Sequence, residues 1–112
     1  MEQTPNINDI NRVAPGTFIK GELKSSGDIR IDGEIEGDIE SKSRVVVGEK
    51  ALIKGNVSAA NADVWGRVEG DISVSETLAL KSGCSVKGTL SVKRLSVELG
   101  ADFQGTCKTV SD

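Results

Sequence analysis

Histidine and tyrosine are absent from this 112-residue chain, and its aromatic side chains are one tryptophan and two phenylalanines. An ordinary globular core would be poorly supplied by such a set. Without histidine the chain lacks the commonest general base and metal ligand. No serine stands in a nucleophile-elbow context, and no Gly-rich phosphate loop joins a strand to a helix. Catalysis, cofactors and resident metals are therefore not expected. The two cysteines, Cys84 and Cys107, show no C-x-x-C spacing. They read as reduced, buried thiols acting as small hydrophobes, with a disulfide or a metal site as lesser options.

No apolar run approaches the roughly 18 residues of a membrane span, and the opening MEQTPNINDINR is too polar for a signal peptide. A cytoplasmic chain is expected. Formal net charge is −3, with 14 basic and 17 acidic residues of interspersed sign. With no basic stripe to track a phosphate backbone, nucleic acid is not expected as a direct partner.

What the chain does have is repetition. The pattern apolar-x-Gly-x-apolar occurs six times, at Ile19–Leu23, Ile35–Ile39, Ile53–Val57, Val68–Ile72, Val86–Leu90 and Phe103–Cys107. Successive central glycines are 16, 18, 15, 18 and 17 residues apart. A looser half-repeat lies between the copies, as in Ile29-x-Ile31 and Val45-x-Val47, each followed by a turn glycine. A fixed period of this length marks a solenoid. Apolar and polar residues alternate within each copy, which is strand periodicity, and the apolar set is Val, Ile and Leu, which suit pleated surfaces. One rung of two or three short strands cannot bury its apolar side alone, whereas stacked rungs can.

The expected fold is all-β, a single-domain parallel β-helix of about six rungs over residues 17–108. Residues 1–16 form a flexible N-terminal tail, and 109–112 a short C-terminal one. Ile7, Ile10 and Val13, spaced by three, would alternatively form one edge of a short helix. The long rungs carry extra corner residues at Val47–Ala51 and Leu80–Cys84, which argues against a strict left-handed hexapeptide helix. A right-handed or looser winding fits better, although periodicity alone leaves the hand open.

The ends of such a tube expose unpaired backbone groups and a cross-section of core. The residues after Cys107 are too few to cover a rung. The chain must associate end to end or fold its tail over one end. Leu95, Val97, Leu99, Phe103 and Cys107 are the candidates for a C-terminal junction, and Phe18, Ile19 and Leu23 for an N-terminal one. Trp65 points outward by alternation and, with Val46 and Leu52, could form a lateral or client-docking patch. The acidic stretch Asp28–Glu40, six carboxylates with Arg30 among them, reads as a solvated strand face because it lacks calcium-loop spacing. Lys93-Arg94 reads as surface.

The runs Ala14–Glu22, Gly27–Gly33 and Glu98–Gly105 closely resemble the bactofilins, polymer-forming bacterial cytoskeletal proteins, over about residues 14–107. The resemblance implies a right-handed, three-faced β-helix. It further implies nucleotide-independent, non-polar filaments in which like ends meet, serving as a scaffold for cell shape, wall-enzyme localisation or chromosome positioning. Many members are thought to reach the membrane through an apolar N-terminal segment; the polar tail here makes membrane association doubtful and peripheral at most. The rival readings are a discrete dimeric scaffold joined through its C-terminal end and, more remotely, a β-helix enzyme. Partners are then other copies of the chain and unknown clients.

Overall fold

A computed structural model describes residues 11–109, and every regular element among them is a β-strand. Residues 1–10 and 110–112, with the Ile7 and Ile10 of the tail, lie outside the described residues. The strands wind into a parallel solenoid of about six turns with three faces. The first face stacks β1 (Asn11–Val13), β4 (Ile29–Ile31), β7 (Arg44–Val47) and the later parts of β9 (Val57–Val64), β11 (Ile72–Leu80) and β12 (Ser85–Val97). The second stacks β2 (Phe18–Lys20), β5 (Glu34–Glu36), β8 (Leu52–Lys54), β10 (Arg67–Glu69) and the starts of β12 and β13 (Asp102–Thr109). The third stacks β3 (Leu23–Ser25), β6 (Ile39–Ser41) and the remaining portions of β9, β11, β12 and β13.

The repeat begins earlier than the glycine copies suggest. Asn11–Val13, inside the stretch read as a tail, pairs in register with Ile29–Ile31, and Val13 is buried. At the other end Thr109 continues β13 opposite Val92.

Strict register turns the repeat into columns. Ile19, Ile35, Ile53, Val68, Val86 and Phe103 form one. Leu23, Ile39, Val57, Ile72, Leu90 and Cys107 form another. Val13, Ile31, Val47, Val64, Leu80 and Val97 form the third. The middle members are essentially solvent-free, and each such Ile, Leu or Val contributes about 1.5–3 kcal/mol by leaving water.

The corner between the second and third faces explains the glycines. Gly21, Gly37, Gly55, Gly70, Gly88 and Gly105 all have φ between 133° and 151°. A Cβ on Gly70 would lie 2.1 Å from the carbonyl oxygen of Gly55, so this column demands glycine for both conformation and space. A side-chain ladder runs beside it. Asp38 Oδ1 accepts from the Asn56 amide, Asn56 Oδ1 from the Asp71 amide and Asp71 Oδ1 from the Thr89 amide, each at 3.2 Å.

The corner between the first and second faces alternates in length. Four-residue turns close at Ala14–Thr17, Gly48–Ala51, Lys81–Cys84 and Glu98–Ala101, each by a backbone bond from the fourth residue to the first. Two rungs instead cross by the tight pairs Asp32-Gly33 and Trp65-Gly66. These corners, with a one-residue difference at the corner between the third and first faces (Val74–Thr77 against Ala59–Asn61 and Val92–Arg94), produce the unequal glycine spacing. The residues entering this corner stack in turn: Asp32, Gly48, Trp65, Lys81 and Glu98 bond through their amides to the carbonyls of Val13, Ile31, Val47, Val64 and Leu80.

Candidate functional site

Every strand at either end has a partner on one side alone among the described residues. β1, β2 and β3 pair only with β4, β5 and β6, and β13 and the last part of β12 pair only with the rung before them. Two edges of unpaired amides and carbonyls result, each framing a cross-section of core.

The C-terminal edge is apolar. Val97 continues a buried column yet is 55% exposed, because no described rung lies above it. Leu95 and Phe103 are half-buried against the core. Cys107 holds the column position of Leu90 but is exposed, so the expectation of two buried thiols holds only for Cys84. Its exposure has the same cause as that of Val97. Leu99 differs from these four. It lies on the Glu98–Ala101 turn at the rim and is 94% exposed.

The N-terminal edge is more polar. Ile19 and Leu23 are half-buried against the core as expected. Phe18, however, is paired with Glu34, whose column continues through Leu52 and Arg67, so it belongs to the outward side of the second face. Asn11 and Ser25 were not singled out by sequence. Asn11 stands in the column of buried Ile29, and its Nδ2 donates to Ser25 Oγ at 2.6 Å. The two edges are thus chemically unlike.

The outward trio is spread over two adjoining faces and the corner between them. Val46 is half-buried on the first face between Arg30 and Asp63, and Leu52 on the second between Glu34 and Arg67. Trp65 stands at the corner between those faces, 38% exposed, with Lys81 Nζ 5.4 Å from its ring centre.

A charged cluster at the same corner escaped the sequence reading. Asp32, expected to face solvent, is buried at 8% exposure. Its Oδ2 accepts from Arg30 Nε at 2.9 Å and Arg12 Nε at 3.1 Å. The bonded Arg30 guanidinium holds the Asp32 carboxyl below the ordinary value, against desolvation and with help from Arg12. A group depressed on folding contributes stability above its unfolded pKa, about 4, and that contribution is lost as pH falls through the folded value. We expect Asp32→Asn to cost about 1 kcal/mol at neutral pH, because both arginines are about half exposed. In thermal melts that is a drop of about 4–8 °C, shrinking towards zero below about pH 4. An undiminished gap at acid pH would show that the carboxylate charge is not what holds the corner.

The other members of the acidic stretch are partly spoken for. Asp28 Oδ1 accepts from Ser43 Oγ and the Arg44 amide, and Asp38 heads the amide ladder. No helix of the described residues is long and apolar enough to cross a membrane.

Comparison with known proteins agrees with this geometry. Residues 11–108 match the family model described as "Bactofilin: Polymer-forming cytoskeletal". Bactofilin BacO of Myxococcus xanthus is 31% identical over 93 residues, covering 83% of this chain and 74% of that protein. Bactofilin BacP of the same organism is 30% identical over 93 residues, which is 39% of its own length. The solid-state NMR structure of the cytoskeletal bactofilin BacA superposes with a TM-score of 0.80 at 29% identity, covering 96% of this chain and all of that one.

Proposed function

The chain belongs to the bactofilin family of polymer-forming cytoskeletal proteins, and from that premise we propose that it assembles end to end into nucleotide-independent filaments that act as a non-enzymatic cytoplasmic scaffold. The observation that carries this reading is the C-terminal edge, where Leu95, Val97, Phe103 and Cys107 occupy core columns with no further rung above them among the described residues. Laying a second rung on that edge would remove apolar area from water at about 25 cal/mol per Å² and pair the open backbone groups of β13. An apolar edge is best covered by another like it, so C-terminal edges meet each other. The N-terminal edges, carrying Ile19 and Leu23 beside the polar Asn11 and Ser25, then meet in turn. The resulting filament has no overall polarity.

A second reading is favoured by one feature, the polar Asn11–Ser25 bond at the N-terminal edge. If that edge stays open, the product is a discrete dimer joined through the C-terminal edges. Negative-stain microscopy of nucleotide-free protein separates filaments from dimers directly, and particles that stay monomeric at high concentration would sink both readings.

Thiol chemistry supplies a solution test. Cys107 is exposed, whereas Cys84 is buried and desolvation raises its thiol pKa. Dispersed chains should expose one fast-reacting thiol and assembled chains none. Undiminished labelling of Cys107 in sedimented filaments would place it outside the junction.

A further inference from the structure

We propose that the corner between the first and second faces carries a lateral docking notch, and that its occupant is the Glu98–Asp102 turn of a second copy of this chain. The contact goes beyond end-to-end assembly because it would join filaments side by side.

The floor of the notch is shaped by one missing side chain. In the corner stack, Gly48 lies between Asp32 and Trp65. Asp32 reaches into the space this leaves: a Cβ on Gly48 would lie 2.0 Å from Asp32 Oδ1. The tight corners at Asp32-Gly33 and Trp65-Gly66 set the floor back beside the projecting Ala14–Thr17 and Gly48–Ala51 turns. The resulting cavity of about 470 Å³ is bordered by Pro15, Arg12, Arg30, Lys50 and Trp65, a size that takes a few side chains. Its three cations outnumber its two carboxylates, Asp32 and Glu49, on a chain whose net charge is −3. An aromatic face with surplus positive charge fits an aliphatic side chain flanked by carboxylates.

Among the described residues, one exposed turn has that composition. Leu99, 94% exposed, is preceded by Glu98 and followed at close range by the exposed Asp102. The turn is already set: Ala101 bonds back to Glu98, and Glu98 Oε1 accepts from the Ser82 amide at 2.9 Å while Oε2 faces Lys81 Nζ at 3.6 Å. In the last two rungs four-residue turns follow one another with no tight corner between, so Leu99 has no recess beside it in its own chain. Pre-ordered turns lose little freedom on docking. Knob and notch lie on the same corner of the tube, so two copies facing each other there can exchange the contact reciprocally and pair two filaments. The contact is weak singly and multiplies along two filaments by avidity.

Trp65 is the sole tryptophan, so its emission reads the notch directly. Leu99→Ser protein, which keeps the notch and lacks the knob, is titrated with full-length Trp65→Phe protein, which keeps the knob and has no tryptophan emission of its own. A saturable change in Trp65 emission is expected. It should weaken about tenfold when ionic strength rises from about 0.05 to about 0.5 M, and about tenfold again when the added chain also carries Leu99→Ser. An equal change with that doubly substituted chain, or binding that appears only after residues 1–10 are removed, would assign the notch to another occupant and overturn the proposal. So would no emission change at all. In micrographs, Leu99→Ser and Lys50→Glu filaments should lie singly at unchanged length where unsubstituted filaments pair. Shortened Leu99→Ser filaments would instead place Leu99 in the end junction. The titration needs no filament, so failure of end-to-end assembly and failure of the notch are read separately.

Discussion

Phe103→Arg is expected to replace filaments by dimers, the largest effect of any single substitution on assembly. Phe103 closes the column that runs from Ile19 through Ile35, Ile53, Val68 and Val86. In a lone chain its side chain is half-buried at the tube's edge, so an arginine there can extend its guanidinium into water at modest cost. Between two C-terminal edges that escape is closed. An unpaired charge without solvent costs about 3–5 kcal/mol. At about 1.4 kcal/mol per factor of ten, each such charge weakens the junction by about 10²-fold to several thousandfold, and a junction of two like edges carries two of them. N-terminal contacts survive, which leaves pairs. Sedimentation velocity distinguishes pairs from long polymers, and the far-ultraviolet signal should be unchanged because the other five members of the column are untouched. Val86→Arg, one rung inside, should unfold the chain instead. Filaments of ordinary length from Phe103→Arg would remove this residue from the junction.

The second large effect concerns stability. Gly70→Ala should destabilise the fold by about 3 kcal/mol or more, from two independent causes. Alanine at φ +146° is strained by about 1–3 kcal/mol. Its Cβ would also meet backbone, the Gly55 carbonyl at 2.1 Å, which cannot swing aside as a side chain could. Gly83→Ala is the matched control. There φ is +89° and no atom lies within 4 Å of the added carbon, so only the conformational strain of about 1–2 kcal/mol remains. Urea melts of the two variants should therefore differ by about 2 kcal/mol or more. Equal midpoints would mean that the column is conserved in spacing for a reason other than close backbone approach.

The glycine column was the part of the architecture most legible from sequence, because each copy repeats the same backbone demand at the same place. Its apolar flanks, such as Ile35 and Ile39, then assigned the inward side by alternation alone. Legibility failed where rung-to-rung register decided the outcome. Arg12 and Arg30 are 18 positions apart, and only the pairing of β1 with β4 sets them side by side over Asp32. Alternation predicted Asp32 outward correctly as a direction. It missed that two guanidiniums and the vacancy at Gly48 would draw its carboxylate under cover. Phe18 stands at the N-terminal edge but on the outward side, because neighbours in a strand point to opposite sides and Ile19 faces the core. Cys107 was assigned to the right column, and its exposure depends on what lies above the last rung, which no column position encodes. Asn11–Val13 lacked the glycine signature, so nothing local marked them as the opening strand.

The ladder of Asp38, Asn56 and Asp71 has a sense: each side chain reaches for an amide in the following rung and never the preceding one. The ladder starts at Asp38, one rung inside the N-terminal edge, and ends on the Thr89 amide, one rung inside the C-terminal edge, so no bond of this kind bridges a seam. A fibre pulled lengthwise would then part at its seams before any subunit tears. Each fragment would leave with intact folds and fresh sticky termini, and a snapped fibre could heal by simple re-annealing, with no energy source and no new synthesis.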